Sequence, residues 1–423
     1  MNKLKAVLLL LMIFSFEIAS AQSYIYIKPD RIFDGEKNLE RYGVLIKNNK
    51  IESIENQLTI EKNLPKDTKV IDLKGCTLLP GLIEGHTHLF LHPYNETPWE
   101  DQVLKEARSY RTSRAVVHAE RTLKAGFTTA RDLGTEGAEF DDVGLKKAIN
   151  DGIIEGPRLL IATKALIATG SYAPKGFSPD IQVPQGAEEA DGHDDLIKKV
   201  RNQIGHGADL IKIYADYRWG LRGEAAPTFS IDEIKLIVET AKSAGRPTVA
   251  HASTAEGMRR AILGGVETIE HGDNGTSEVW KLMVEKNVCL CPTLAAGDAI
   301  SQYRGWKKGI DPEPERIKKK KETFKQAFDA GVKICFGGDV GVFAHGDNAR
   351  ELEMMVEYGM KPIDALKSAT SINSDAFHLE NQVGRVKVGF LADILVVDGN
   401  PTQNIKDIRN IKLVMKDGKI IGE

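Results

Sequence analysis

The sequence predicts an α/β protein, with a (β/α)8 TIM barrel in the middle and a small β-sandwich domain formed from both termini. In the middle of the chain, eight short apolar runs alternate with amphipathic helical stretches, which is typical of βαβ units and a parallel sheet. Eight such units over about 280 residues fit a closed barrel better than an open doubly wound sheet. At both ends, short alternating strands are separated by polar turns.

The terminal strands divide the chain into domains. We expect strands at 24–27, 43–47 and 50–54 near the start, and at 393–398 and 411–415 near the end, the last followed by an Asp417-Gly418 turn. The predicted division is a signal peptide at 1–21, the β-sandwich domain at 22–75 and 385–423, and the (β/α)8 barrel at 76–384.

The first residues have the features of a secretory signal. A basic start with Lys3 and Lys5 precedes an apolar run over 6–16, and Ala19-Ser20-Ala21 is an A-x-A cleavage site. The run is too short to cross a bilayer of about 30 Å. We therefore expect cleavage after Ala21 and export to the periplasm or the medium, with no membrane span in the mature chain. The alternative is an uncleaved N-terminal anchor.

Charge and cysteine content exclude some classes of protein. Lys plus Arg is 57 and Asp plus Glu is 60, a formal charge of −3, which argues against nucleic-acid binding. The basic run 318–321 is flanked by acidic residues and is predicted to be the solvated face of a charged helix. The four cysteines match no disulfide scaffold or zinc knuckle, and we expect buried free thiols.

The barrel strands are the reference for placing functional residues, because active sites of such barrels lie at the carboxyl ends of the strands. Helices separate them; one is predicted at 231–243, where Ser230 and Glu233 form a capping box. The eight strand candidates are 76–83, 128–132, 158–161, 210–214, 248–250, 268–270, 288–291 and 332–336.

Residues suited to binding metal follow several of these strands. His86 and His88 are two apart at the end of the first strand, so both imidazoles can point to one side. His251, His271 and Asp339 follow the fifth, sixth and eighth strands. A single histidine is weak evidence, but five such positions at one end of a barrel predict a metal site. Imidazole and carboxylate ligands suit Zn²⁺ best, with Mn²⁺, Co²⁺ or Fe²⁺ as alternatives.

Lys212 lies between two isoleucines in the fourth strand. Burial of an unpaired ammonium is costly and lowers its pKa, which leaves an amine able to react with carbon dioxide. The resulting carbamate, N6-carboxylysine, has two oxygens that can bridge two cations. The alternative is a lysine that extends its ammonium to solvent.

The sequence resembles the amidohydrolase superfamily, in particular its binuclear prolidase-like or imidazolonepropionase-like branch. The segments that carry the resemblance extend along most of the mature chain: 79–88, 125–132, 207–213, 269–272 and 392–401.

The resemblance implies a ligand set and a mechanism. His86, His88 and Asp339 would hold one divalent metal, His251 and His271 a second, and Lys212 as its carbamate would bridge the two, together with a hydroxide. Asp339 would act as general base and then general acid.

Substrate contacts are less specific. Tyr214 is predicted to donate to the oxyanion and His345 to contact the substrate or the oxyanion; the alternatives are a core tyrosine and a solvent histidine. Lys175, Arg218 and Arg222 are candidates for binding a substrate carboxylate, or are ordinary surface charges. The loop 169–176 lacks the histidine that many relatives carry there, so substrate preference does not transfer simply.

The predicted function is hydrolysis of the amide C–N bond of dipeptides, Xaa-Pro-like or other Xaa-amino acids, or of N-acyl amino acids. The enzymatic alternative is a cyclic amide or imidazolone hydrolase, or a deaminase; Lys212 favours the binuclear hydrolase. The non-enzymatic alternative is a catalytically silent barrel scaffold. The expected partner is a small-molecule substrate, and the sequence is compatible with a homo-oligomer.

Overall fold

Strands dominate both ends of the chain, and strands and helices alternate between them. The computed structural model describes residues 23–422, so the predicted signal peptide lies outside the described residues. The strands are β1 Tyr24–Phe33, β2 Asn38–Glu40, β3 Tyr42–Lys47, β4 Lys50–Asn56, β5 Lys69–Pro80, β6 Leu82–Thr87, β7 Phe127–Asp132, β8 Arg158–Ile161, β9 Leu166–Ile167, β10 Glu188–Glu189, β11 Ile211–Tyr214, β12 Asp216–Arg218, β13 Ala225–Pro227, β14 Thr248–Thr254, β15 Thr268–Asn274, β16 Cys289–Cys291, β17 Ile394–Asp398, β18 Ile411–Lys416 and β19 Lys419–Ile420.

The helices lie mainly between the strands of the middle region. They are α1 Gln57–Lys62, α2 Trp99–Lys105, α3 Arg108–Lys124, α4 Asp141–Asn150, α5 Gly192–His206, α6 Ile231–Lys242, α7 Ala255–Gly264, α8 Ser277–Lys286, α9 Leu294–Tyr303, α10 Glu315–Asp329, α11 Ala349–Glu357, α12 Pro362–Lys367 and α13 Asn373–Ala376. A π-helical turn spans Ser368–Ile372 and a 3-10 helix spans Ile405–Arg409.

Strands from the two ends of the chain form one sheet. Its order is β19-β18-β17-β5-β1-β3-β4, with β2 paired to β1. β17 pairs antiparallel with both β5 and β18, and Ile394, Leu395, Val396 and Val397 are fully buried. All strands from the ends belong to this one hydrogen-bonded sheet in residues 23–422, and the sandwich itself stays a prediction.

Parallel strands of the middle region are joined in sequence order. β6 pairs with β7 and β7 with β8, and a second parallel series runs through β11, β14, β15 and β16. The Asp209 amide donates to the Ile161 carbonyl at 2.8 Å, which joins the first series to the second. Parallel bridges Leu290↔Ile334 and Thr87↔Val340 connect the end of the second series back to β6. These hydrogen bonds connect eight segments in a closed cycle, within a mixed α/β fold.

Two strand predictions need correction. The apolar run 76–83 is divided between two sheets: β5 ends at Pro80 in the terminal sheet, and β6 begins at Leu82. The expected strand 332–336 makes only an isolated bridge at Ile334: two hydrogen bonds join it to Leu290 of β16, and the Gly85 amide of β6 donates to the Phe336 carbonyl. Helix α6 begins and ends close to its prediction, and the Ser230–Glu233 capping box is present.

The apolar core lies between the parallel strands and the helices and also includes one face of β17. All four cysteines are buried and free, as predicted. Among the described residues, the structure has no helix both long enough and apolar enough to cross a membrane.

Candidate metal centre

His86 and His88 lie at the carboxyl end of β6, and the local sequence lets another segment approach them closely. A Cβ on Gly85 would lie 2.4 Å from the Phe336 carbonyl oxygen, and one on Gly337 would lie 2.8 Å from the His86 nitrogen. Glycine at both positions allows this approach. The segment that contains Asp339 is therefore held directly beside the two imidazoles, as its amide donates to the His86 carbonyl at 2.9 Å.

His86, His88 and Asp339 converge on one point. The Nε2 atoms of both imidazoles lie 3.5 Å from Asp339 Oδ1. One ligand atom from each of the three residues lies within 4.8 Å of the others. Two imidazole nitrogens and a carboxylate oxygen at these separations fit a divalent transition metal.

Hydrogen bonds to the opposite ring nitrogens orient the imidazoles. His86 Nδ1 is 2.9 Å from Glu270 Oε2, and His88 Nδ1 is 2.8 Å from the Gly134 carbonyl oxygen. A proton on each Nδ1 leaves Nε2 with a free lone pair directed at Asp339. Arg131 in turn donates to Glu270 at 2.8 Å. The sequence did not reveal Glu270 as an orienting residue, although it precedes His271.

His251 and His271 form the second half of the centre. Their ring centroids are 4.5 Å apart, and that of His271 is 5.2 Å from that of His86. His271 Nδ1 is 2.7 Å from Thr293 Oγ1, and His251 Nε2 is 3.7 Å from Asp216 Oδ1. The structure therefore brings all four predicted histidines together.

Lys212 is buried on β11 beneath these imidazoles. It is 1% exposed, and burial lowers the pKa of its amine. Its charge lowers the pKa values of His86, His251 and His271, which places the amine within electrostatic reach of both halves of the centre. Lys212 is thus a buried amine near the imidazoles, which is compatible with the hypothesis of a bridging carbamate.

The electrostatics favour metal ligation. Burial lowers the pKa values of the His86, His251 and His271 imidazoles, so they are neutral at physiological pH. Neutral imidazole is the form that binds metal. Burial also raises the pKa of Asp339, which nearby positive charges partly oppose. Nothing in the donor set conflicts with a pair of divalent cations.

The backbone is strained at several of these positions. His271, Thr293 and Asp339 have φ values of 76°, 51° and 61°, in the left-handed region that non-glycine residues seldom occupy. Such conformations cost of order 1 kcal/mol or more and persist where surrounding structure holds them, often at functional sites.

A cavity of about 910 Å³ opens above the centre. His86, His88, His251, His271 and Asp339 all line it. The rest of its wall includes both aromatic and basic side chains. The aromatic residues are Tyr94, Trp99, Tyr172, Tyr214, Tyr217 and Tyr303, and the basic residues are Lys175, Arg218, Arg304, Arg316, Lys319 and Lys320.

The predicted substrate contacts have different outcomes. Tyr214 lines the cavity, but its hydroxyl donates to Glu136 Oε1 at 3.2 Å. Lys175 and Arg218 line the cavity, and the Lys175 amine donates to the Arg218 carbonyl at 2.6 Å; Arg222 is not among the lining residues.

The structure contradicts the prediction that His345 contacts the substrate. It is 4% exposed and is not among the described residues that line the cavity. Its Nε2 is 3.0 Å from the Leu91 carbonyl oxygen, and its ring stacks on that of His118 with centroids 4.2 Å apart. It therefore belongs to the packing behind β6.

Two groups of residues line the cavity although the sequence did not predict them there. Arg316, Lys319 and Lys320 all line the cavity, so the prediction that the basic run is simply a solvated helix face is wrong in part. Lys320 is buried and ion-pairs with Asp273. Their i, i+3 and i+4 spacing places them on one helix face, a signal present in the sequence. No sequence signal identifies the second group, around Glu136.

Comparisons with known proteins identify the family of this chain. The model of the amidohydrolase family matches residues 77–421. Ochratoxinase from Aspergillus niger is 30% identical over 378 residues, covering 81% of this chain and 75% of that protein. A crystal structure of a Xaa-Pro dipeptidase with bound methionine is 33% identical with a TM-score of 0.83, covering 94% of this chain and 99% of the other.

A more distant relative supports the same assignment. Imidazolonepropionase from Bdellovibrio bacteriovorus is 23% identical over 390 residues, covering 85% of this chain and 83% of that protein. The family match spans most of the chain, and the resemblance to prolidase-like and imidazolonepropionase-like proteins inferred from the motifs is confirmed. The chain belongs to the amidohydrolase family and is a hydrolase that acts on carbon–nitrogen bonds.

Proposed function

We propose that this chain is an exported, binuclear metal-dependent hydrolase that cleaves the amide bond of dipeptides or N-acyl amino acids. The observation that carries the proposal is the convergence of four imidazoles and Asp339 on the wall of one cavity, with the buried Lys212 amine within electrostatic reach of three of these imidazoles. The closed cycle of parallel segments supports the (β/α)8 barrel, since such barrels place their catalytic residues at the carboxyl ends of the strands.

The residues would divide the work between them. His86, His88 and Asp339 would hold one cation, His251 and His271 the other, and Lys212, as N6-carboxylysine, would supply an oxygen to each; Zn²⁺ suits these donors best. A pair of such cations lowers the pKa of water and polarises a carbonyl. The Asp339 carboxylate would accept the proton of the attacking water and deliver it to the leaving nitrogen.

The basic wall of the cavity supports an amino-acid leaving group. Arg218, Arg316 and Lys319 line the same cavity as the imidazoles. Guanidinium and ammonium groups bind carboxylates through charge-assisted hydrogen bonds. A substrate whose amide lies at the centre would carry its terminal carboxylate towards these groups, which favours dipeptides and N-acyl amino acids.

Substrate profiling and metal analysis test the function together. Protein purified with Zn²⁺, Mn²⁺ or Co²⁺ is assayed against a library of dipeptides and N-acyl amino acids, with separate detection of free amino acids and of ammonia. We expect about two metal ions per chain and release of free amino acids. Ammonia as the main product would support the deaminase alternative, and a metal-free, inactive protein would support the silent scaffold.

The modified lysine has a separate test. Mass spectrometry of the intact, metal-loaded protein should find one added carboxyl group, and Lys212→Met should lose it together with activity. Short carboxylic acids added to Lys212→Met should restore part of the activity, because they supply two oxygens in the same place. Unmodified Lys212 in a fully active, metal-loaded protein would contradict the bridging carbamate.

A further inference from the structure

The buried carboxylate of Glu136 lies among the aromatic side chains of the cavity. Glu136 is 3% exposed and lines the cavity. Trp99 Nε1 donates to its Oε2 at 2.9 Å and the Tyr172 hydroxyl to the same oxygen at 2.5 Å. The Tyr214 hydroxyl donates to Oε1 at 3.2 Å. All three donors are neutral, so they position the carboxylate without cancelling its charge.

The guanidinium of Arg111 does not compensate this charge by direct contact. It donates to the carbonyl oxygens of Phe90, Thr135 and Glu136, at 2.8 Å for the last, and it is not among the residues that line the cavity. The carboxylate therefore presents its negative charge to the interior of the cavity. Arg111 and Lys212 interact with the Glu136 charge only at a distance, so a cation in direct contact with this buried carboxylate would lower the cost of its burial further.

The rings around Glu136 suit a cationic ligand as well. The Tyr172 centroid lies 5.0 Å from that of Trp99 and 4.7 Å from that of Tyr217. Faces of tryptophan and tyrosine rings attract ammonium groups. A carboxylate beside aromatic rings therefore favours an organic ammonium over a neutral acyl chain.

This cluster adjoins the metal centre. The Tyr214 ring lies 4.7 Å from the His251 ring, centroid to centroid, while its hydroxyl contacts Glu136. Tyr214 therefore contacts both Glu136 and a candidate metal ligand, so only its side chain separates a group bound at Glu136 from the metal centre. That separation is short enough for two parts of one small substrate to occupy both places.

We propose that Glu136, Trp99, Tyr172 and Tyr217 form a subsite for the α-ammonium group of the substrate. The inference rests on the proposed function and narrows it: the enzyme prefers dipeptides with a free amino terminus to N-acyl amino acids. The same cavity then offers the Glu136 carboxylate for the ammonium and basic side chains for the carboxylate, which matches a zwitterionic dipeptide.

A matched pair of substrates tests the preference in the unmodified protein. Alanyl-leucine and propionyl-leucine have the same acyl skeleton and differ in the α-ammonium group. We expect kcat/KM for alanyl-leucine to be about 10-fold to 100-fold higher, the range for a hydrogen bond to a charged group. Equal values, or a preference for propionyl-leucine, would overturn the subsite while leaving the hydrolase function intact.

Variants locate the effect. Glu136→Gln keeps the shape and acceptor oxygen and removes the charge, so it should lower kcat/KM for alanyl-leucine about 10-fold or more and leave propionyl-leucine nearly unchanged. Glu100→Gln is the control, because Glu100 lines the same cavity but is exposed. An equal loss on both substrates would mean that Glu136 has only a structural role, and a larger effect of Glu100→Gln would place the ammonium elsewhere.

A binding measurement separates this inference from the proposed function. Propylammonium is titrated into the metal-loaded protein by calorimetry, with propanol as the uncharged control. We expect saturable binding of propylammonium that Glu136→Gln abolishes and Glu100→Gln retains. If neither leucine derivative is hydrolysed, the proposed function fails, and the titration still decides the subsite: absence of propylammonium binding to the unmodified protein would overturn it.

Discussion

At the scale of single residues, the candidate metal centre contains several charged groups that are buried. Arg131, Glu270 and His86 form a chain of buried polar contacts of 2.8 and 2.9 Å that ends on a candidate ligand. Each residue contacts the next one in this chain, so these contacts offset the cost of removing the charged groups from water. Burial lowers the pKa values of His86, His251 and His271 and raises that of Asp339, which brings this carboxyl closer to the range where it can both accept and release a proton.

Asp339→Asn tests the proton-transfer role. The amide retains an oxygen near His86 and His88 but cannot accept the proton, so we expect kcat/KM to fall by about 100-fold or more. Asp329→Asn, in the last turn of α10 and exposed, is the control and should change little. Steady-state kinetics with metal analysis of each variant checks this; an Asp339→Asn protein that keeps both its metals and its activity would contradict the assignment.

The His118–His345 stack makes stability depend on pH. Burial lowers the pKa of His118 from 6.5 to about 4 and also lowers that of His345. The unfolded chain binds the proton first, so the contribution of His118 is full above pH 6.5 and is lost as the pH falls towards 4. The lost free energy of unfolding is about 3 kcal/mol, from about 1.4 kcal/mol for each pKa unit.

Urea unfolding at pH values on both sides of that window measures this effect. His118→Gln should lose less stability on acidification than the unmodified protein, because it removes one of the two buried groups that must take up a proton on unfolding. His193→Gln, at an exposed histidine on α5, should follow the unmodified protein. An identical acid response in all three proteins would contradict the linkage.

At the scale of elements, local patterns located most strands and helices. The periodicity of 231–243, with its capping box, predicted α6 almost to the residue, because a cap is a local interaction. The run 76–83 did not reveal its division at Gly81, since both halves are apolar. A Cβ on Gly81 would lie 2.2 Å from Thr128 Oγ1, a contact that only the paired strands create.

The capping box of α6 should contribute measurably to the free energy of unfolding. Ser230 Oγ accepts from the Glu233 amide at 3.2 Å, and Glu233 Oε2 accepts from the Ser230 amide at 2.8 Å. Ser230→Ala leaves the Glu233 amide without its cap, and we expect a loss of about 1 kcal/mol in the free energy of unfolding. Denaturant titration measures it, with the exposed Ser109→Ala in the first turn of α3 as a control that should lose less.

At the scale of the whole molecule, the terminal sheet and the parallel strands share a core. Leu395 on β17 is fully buried within the larger apolar cluster, and its methyl groups would lie 2.9 Å from a Cβ on Gly126. Arg158 on β8 donates to Asp417 at 2.8 Å, a second link between the two parts. The last strands therefore complete the packing of the catalytic part.

Leu395→Ala tests that coupling. A cavity at this position should cost about 2–5 kcal/mol, since neither layer can close around the missing atoms. Leu221→Ala is the control, because Leu221 is 99% exposed, and it should change stability by less than about 0.5 kcal/mol. Denaturant unfolding of both variants, followed by metal analysis, checks the effect; equal stabilities would contradict the shared core.

The sequence by itself predicted the residues that converge at the centre, because His86, His88, His251, His271 and Asp339 take their positions from the strands beside them. It also indicated the buried lysine and the terminal strands through local hydrophobic pattern. Only the tertiary structure decided that His345 packs behind β6, that the basic face of α10 lines the cavity, and that Trp99, Tyr172 and Tyr214 enclose Glu136. These contacts join residues on separate elements, and no local pattern records which of them meet when the chain closes.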